Sequence, residues 1–335
     1  MLYDKLELNQ ADSEQIERLK DFIPDKIFDA HCHVYDSAFM HGLHPEKECG
    51  KSIYGVDEYR KSTMPILNNP KVLRANYIIY PDPCMADKQL GVIELSDEFL
   101  KKQLDKDTLS VGEIIVNPLD TAEEIEKRLT HKGIRGLKCY HFIAKRDVTW
   151  NLNIDEYLPE SAWEVANKHK LVITLHMVKD LAASDLENFN YIVKMAKKYP
   201  DAKLILAHCA RSFASWTVME PIKEFSKYDN IWYDFSGICE PVPMMAILKQ
   251  LNGERCMWGT DSPVSNMRGR AVSFADSFHW FYDTDFIGKD MSMPKKFFPV
   301  GVEALMAVKQ ACDLLDLTPR QVEDLMYNNA DKLWK

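Results

Sequence analysis

Residues 27–34, IFDAHCHV, decide how the rest of the chain is read. The run is short, mostly apolar and followed by polar sequence, as in a strand buried on both faces of a parallel sheet. Alternate residues of a strand share a face, so His31 and His33 project into the same space while Cys32 turns away. Two imidazoles on one wall make a bidentate grip for a metal. An isolated His-x-His is nevertheless weak evidence, because a single buried histidine is more often a satisfied core residue.

Seven further runs of the same kind follow, at 76–81, 113–118, 134–140, 171–177, 202–208, 231–235 and 255–261. Segments with helical periodicity separate them, among them 122–132, 156–170, 185–199 and 243–251. Eight alternating units predict a single-domain (β/α)8 barrel (TIM barrel) over residues 1–335. An open doubly wound sheet would place a glycine-rich phosphate turn after its first strand, and HCHVYDS is not one. Two stretches, 35–75 after the first strand and 262–300 after the eighth, are too long for simple connections. Both follow strand C-termini, where loops build the active face of a barrel, so they are expected to wall or cover a substrate site or to make a subunit contact. From about residue 301 two extra amphipathic helices follow, with Thr318 as N-cap and Pro319 at the first helical position.

Composition fits a globular enzyme: 46% hydrophobic and 28% charged residues can bury a large core without staples. A net charge of -9, from 42 basic and 51 acidic side chains, argues against affinity for nucleic acid or anionic membranes. A small molecule is the expected partner, with a homodimer as the expected assembly. Neither a signal peptide nor a run of about 18 apolar residues is present, which predicts a cytoplasmic protein. The eight cysteines contain no CxxC pair and several lie in apolar runs, as reduced thiols do.

The costly polar groups fall at strand ends. His31 and His33 close the first strand, Lys138 the fourth, His176 the fifth, His208 the sixth and Asp261 the eighth. Ionisable groups converging on one barrel rim need a metal or a substrate to compensate them. Nitrogen and oxygen donors of this kind suit one divalent ion, with Zn the first expectation and Mn, Fe or Co the alternatives. His41, His44, His131, His169 and His279 read as solvated loop or helix residues. His141 stands apart because it follows Lys138 and Tyr140 at the mouth of the fourth strand. Tyr35, Tyr54, Tyr140, Trp216 and Trp258 are candidates to line a pocket for a flat ring, although core packing is the commoner fate of aromatics.

Taken together, FDAHCHVYD (28–36), GLKCYH (136–141), ITLHM (173–177), ILAHCA (205–210) and MWGTDSP (257–263) resemble the amidohydrolase superfamily, and specifically its amidohydrolase-related (amidohydrolase 2) branch of hydrolases and decarboxylases. The closing NNADKLW is similar to that branch's C-terminal helix. The resemblance implies a distorted barrel holding one divalent ion. By the same resemblance His31, His33, His176 and Asp261 match metal-ligand positions, and His208 matches the histidine that contacts the activated water or the substrate. The branch often follows that histidine with Gly-Gly, whereas Cys209-Ala210 stand here, which leaves the shape of the pocket there open. Lys138 matches a position that carries a carboxylated lysine in other branches and a substrate-binding cation in this one. A structural ion pair with Glu113 or Asp234 is the third alternative.

Two activities follow. The first is hydrolysis of an ester, lactone or amide by metal-activated water, with Asp261 shuttling the proton and His208 orienting the carbonyl. The second is a carboxy-lyase or hydratase acting on a small, aromatic or unsaturated acid, its carboxylate held by Lys138 and Arg211, with Tyr140 beside them. Arg211 reads equally as a surface ion-pair residue. A non-catalytic barrel with a structural metal is the remaining reading, and the open rim with its long loops argues against it.

Overall fold

The computed structural model describes residues 7–43, 45, 51–286 and 297–335. His44 and the segments 46–50 and 287–296 of the two long insertions lie outside them. Eight parallel strands form the barrel: β1 (Lys26–Asp36), β3 (Val72–Ile79), β4 (Val111–Ile115), β5 (Ile134–Cys139), β6 (Val172–Leu175), β7 (Lys203–Leu206), β8 (Ile231–Asp234) and β9 (Cys256–Met257). They are hydrogen-bonded in that spatial order, with a short antiparallel strand β2 (Ile53–Tyr54) flanking β1. Both faces are buried throughout, because the interior of a small barrel is filled by side chains and its exterior is covered by helices.

The barrel closes between the last strand and the first. Beyond β9 the chain continues alongside β1, where Ala30 N–H donates to the Trp258 carbonyl (3.0 Å), Asp261 N–H to that of His31 (2.7 Å) and His33 N–H to that of Ser262 (2.6 Å). Asp29, fully buried, fastens this seam by accepting from Thr260 N–H (2.9 Å), Thr260 Oγ1 (2.6 Å), Tyr59 Oη (2.8 Å) and His31 N–H (3.0 Å). The expected eighth strand, 255–261, is therefore regular only at its start. Its second half leaves the ladder with β8 to hydrogen-bond β1.

The expected helices appear as Ala122–Arg128, Glu160–His169, Leu186–Lys198 and Pro241–Leu251. The tail forms Val300–Leu314 and Pro319–Glu323, the latter capped by Thr318 in a reciprocal capping box with Gln321. The second insertion holds an antiparallel hairpin, β10 (Gly269–Phe274) and β11 (Ser277–Tyr282). Its alternating aromatic pattern gives each face a row of rings. No helix among the described residues is long and apolar enough to cross a membrane.

Candidate metal centre and substrate cavity

His31 and His33 leave β1 on the same side, as their spacing requires. His31 Nε2 lies 3.3 Å from His33 Nε2 and 3.6 Å from Asp261 Oδ1, and His33 Nε2 lies 3.3 Å from that same oxygen. Donors about 2.0–2.2 Å from a tetrahedral ion stand about 3.3–3.6 Å apart, so the triangle has the size that a divalent metal demands. His208 joins it, since ligand atoms of His31, His208 and Asp261 all lie within 4.8 Å of one another. His176 stands next to His208, ring centroids 5.3 Å apart, and its buried Nδ1 has no partner.

The charge state suits the geometry. Burial holds His31 down to about 3 and pushes His33 and His176 below the ordinary imidazole value, so all three are neutral with lone pairs available. Although burial opposes it, the facing His208 and a hydrogen bond with His33 hold the Asp261 carboxyl down to about 2, ionised at neutral pH. Neutral nitrogens and a carboxylate are the deprotonated forms that ligate metals, and the cluster fits one divalent ion.

Supporting groups orient the donors. Asp234, at the end of β8, accepts from His31 Nδ1–H (3.0 Å), leaving Nε2 as the free lone pair in the carboxylate–histidine arrangement of metal sites. The other Asp234 oxygen accepts from His208 N–H (3.1 Å) and Ser236 N–H (3.1 Å). His208 Nδ1 lies 2.9 Å from the Ser236 carbonyl and therefore donates there, presenting Nε2 as an acceptor. Sequence reasoning missed Asp234 in this role and weighed it only as a partner for Lys138. Its signal was a carboxylate inside an otherwise apolar strand.

Lys138 is wholly buried beneath this cluster, its ammonium 3.5 Å from His31 Nε2 and 5.8 Å from the centre of the Tyr140 ring. Burial lowers its pKa, against the opposing charges of Glu113 and Asp234. Among the described residues it forms no carboxylate salt bridge, and it is not among the residues lining the cavity. Glu113, also buried, gives one oxygen to Asn76 (2.8 Å) and Thr174 (2.8 Å) and leaves the other without a partner.

Above the donors opens a cavity of about 300 Å³ that His33, His176, His208 and Asp261 reach. Its walls are aromatic, formed by Tyr80, Tyr140, Phe142, Trp150, Phe213, Phe278, Trp280 and Tyr282. Tyr140 stacks on His176 (4.4 Å) and Phe213 on Phe278 (4.5 Å). Both long insertions supply wall residues, Leu43 from the first and Val264, Met267 and the hairpin from the second. Of the aromatics singled out in the sequence, only Tyr140 lines the cavity. Tyr35 and Tyr54 stack on each other, Trp258 is core, and Trp216 is exposed. His141 is buried against Tyr140 and Trp150 and bonds Thr149 Oγ1 (2.8 Å). Two larger surface clefts share no residue with the donors.

Arg211 also faces this cavity. Its guanidinium lies over the rings of Trp150 (5.5 Å) and Phe278 (5.3 Å), and among the described residues it has no carboxylate salt-bridge partner. Among the described residues the ion-pair alternative finds no carboxylate partner, and the left-handed turn that follows β7 brings Arg211 to the cavity.

An eight-stranded barrel with a histidine–aspartate donor cluster at the C-terminal ends of its strands is the architecture of a metal-dependent enzyme. The amidohydrolase family profile (Amidohydro_2) matches residues 28–335, and the chain belongs to that family. Among solved structures, 5-carboxyvanillate decarboxylase LigW from Sphingomonas paucimobilis is similar in fold, with a TM-score of 0.60, 15% identity, and 92% of this chain and 98% of that one covered. A dihydroxybenzoic acid decarboxylase from Polaromonas sp. JS666, with bound manganese and the inhibitor 2-nitroresorcinol, gives 0.59 at 13% identity over 92% and 96%. A zinc-bound amidohydrolase from Burkholderia multivorans gives 0.59 at 11% identity over 92% and 99%. No curated protein sequence matches the chain.

Proposed function

We propose that the protein is a metal-dependent carboxy-lyase that releases CO2 from a small aromatic carboxylic acid. The observation that carries this reading is Arg211, a cation facing an aromatic-walled cavity, with no carboxylate within salt-bridge distance among the described residues. Such a group calls for an anionic ligand, and a planar guanidinium matches a carboxylate in two-point geometry. The facing rings suit a flat substrate, and about 300 Å³ accommodates one substituted ring.

His31, His33, His176 and Asp261 would hold the metal, Zn or Mn, as in the neighbours described above. When bound, such an ion supplies positive charge that polarises and acidifies an oxygen ligand. The protein's own groups do the rest. Arg211 orients the acid through a carboxylate, and the ring walls exclude water. His208, its Nδ1 proton committed to Ser236, accepts a hydrogen bond from the substrate at Nε2. Asp261, ionised at rest, takes the proton of a substrate hydroxyl group and delivers it to the ring carbon. There the electron pair of the broken C–C bond becomes the new C–H bond, and CO2 departs. Hydrolysis by the same donors is the second reading, favoured by the zinc-bound amidohydrolase among the similar folds.

The test is product analysis of metal-loaded protein with hydroxybenzoic acids on one side and lactones, esters and amides on the other. CO2 release with one C–H bond gained supports the carboxy-lyase. Hydrolysis products without CO2 would replace it by the hydrolase.

A further inference from the structure

Residues 208–211 adopt four consecutive left-handed conformations, with φ of 57°, 52°, 60° and 58°, and none of them is glycine. L-residues visit this region singly, because the side chain there crowds the following carbonyl, and a whole turn of them persists only where the surroundings over-determine it. Here they do. His208 N–H is held by Asp234 and its ring by Ser236. Ser212 N–H donates to the His208 carbonyl (2.9 Å), and Ser212 Oγ meets Thr217 Oγ1 (2.9 Å). Cys209 and Ala210 are completely buried.

The turn has a geometric result. Had the chain stayed extended beyond β7, residues three apart would point to opposite faces. Instead His208 and Arg211 reach the same cavity. We infer that the non-glycine pair Cys209–Ala210 is a positioning device for Arg211: although their Cβ atoms strain the left-handed backbone, they are packed in the core and so immobilise a turn that glycine, with nothing to pack, would leave loose, fixing where the guanidinium meets an anionic substrate group. The inference rests on Arg211 being the carboxylate anchor.

Calorimetric titration of the metal-loaded full chain with benzoate, alongside thermal unfolding, tests both levels. Arg211→Gln is expected to weaken benzoate binding roughly tenfold or more. Unchanged affinity overturns the anchor and, with it, the device. Cys209→Gly, Ala210→Gly and their combination are then compared with Ala166→Gly, a fully buried alanine in the right-handed helix Glu160–His169. Ala166→Gly is expected to lower Tm by roughly 2–4 °C, whereas Ala210→Gly holds or raises it because glycine relieves the left-handed backbone. The double variant is expected to bind benzoate roughly tenfold more weakly at unchanged metal content, through lost preorganisation. If Ala210→Gly loses as much Tm as Ala166→Gly, the turn is not strained and the inference fails. If the double variant binds benzoate like the parent, the positioning role fails while the Arg211 anchor stands.

Discussion

The floor and the walls of the cavity are built on opposite physical principles. On the floor each group is fixed by directed bonds: Asp234 holds His31, His208 and Ser236, while Asp29 ties β1 to the chain after β9. The walls are rings in contact with rings, Phe213 on Phe278 and Tyr140 on His176, with few directed bonds. Ring contacts are worth about 0.5–1.5 kcal/mol each beyond burial and tolerate offset geometry, whereas buried hydrogen bonds to charged groups lock distances and angles. The donors therefore belong to the strand ends, and the ring walls to the loops and insertions that follow them.

That division is open to attack by mutation. The largest effect is expected on the floor. His31→Ala/His33→Ala should reduce metal content from about one equivalent to near zero by elemental analysis and abolish turnover. Asp261→Asn should leave a folded protein with turnover reduced by about a thousandfold or more. Near-normal activity in that variant would sink the role of Asp261. Behind the donors, Asp234→Asn should weaken metal binding about 10–100-fold in chelator competition, because it removes the carboxylate that orients His31. On the walls, Phe278→Ala or Trp280→Ala should shift the apparent affinity for an aromatic acid by about tenfold with metal content unchanged. Metal loss in a wall variant would show that floor and wall are not separable.

The smallest expected effect concerns Glu113, which burial raises to about 7. The folded state binds this proton where the unfolded chain, titrating near 4.5, has released it. The stabilising contribution is therefore complete below pH 4.5 and lost as pH rises through about 7. Glu113→Gln should accordingly gain Tm relative to the parent at pH 8.5 compared with pH 5. An equal offset at both pH values would remove the assignment.

The barrel was legible in the sequence because buried parallel strands are apolar runs, and a polar residue at their ends is conspicuous. For the same reason His31, His33, His176, His208 and Asp261 were visible, each at a strand terminus. Four features were not. The eighth strand's departure from β8 toward β1 depends on Asp29, whose partners Tyr59 and Thr260 lie far away along the chain. Asp234 and Glu113 look like stray acids until the strands are side by side. The cavity walls combine rings from Phe142 to Trp280 that no local pattern relates, so Tyr35, Tyr54 and Trp258 looked equally eligible and proved to be core. The hairpin β10–β11 was masked by its own composition, since one aromatic run serves both its packing and its outer face.

The seam between β1 and the chain after β9 has a further consequence, for the order of assembly. During synthesis His31 and His33 emerge from the ribosome long before Asp261, and nothing places that carboxylate beside them until Asp29 receives Thr260. Until the seam forms, the four histidines of the site stand without the carboxylate that completes the cluster. The donor cluster is therefore complete only when β1 and the chain after β9 are joined, and the intact cluster reports that the barrel has closed.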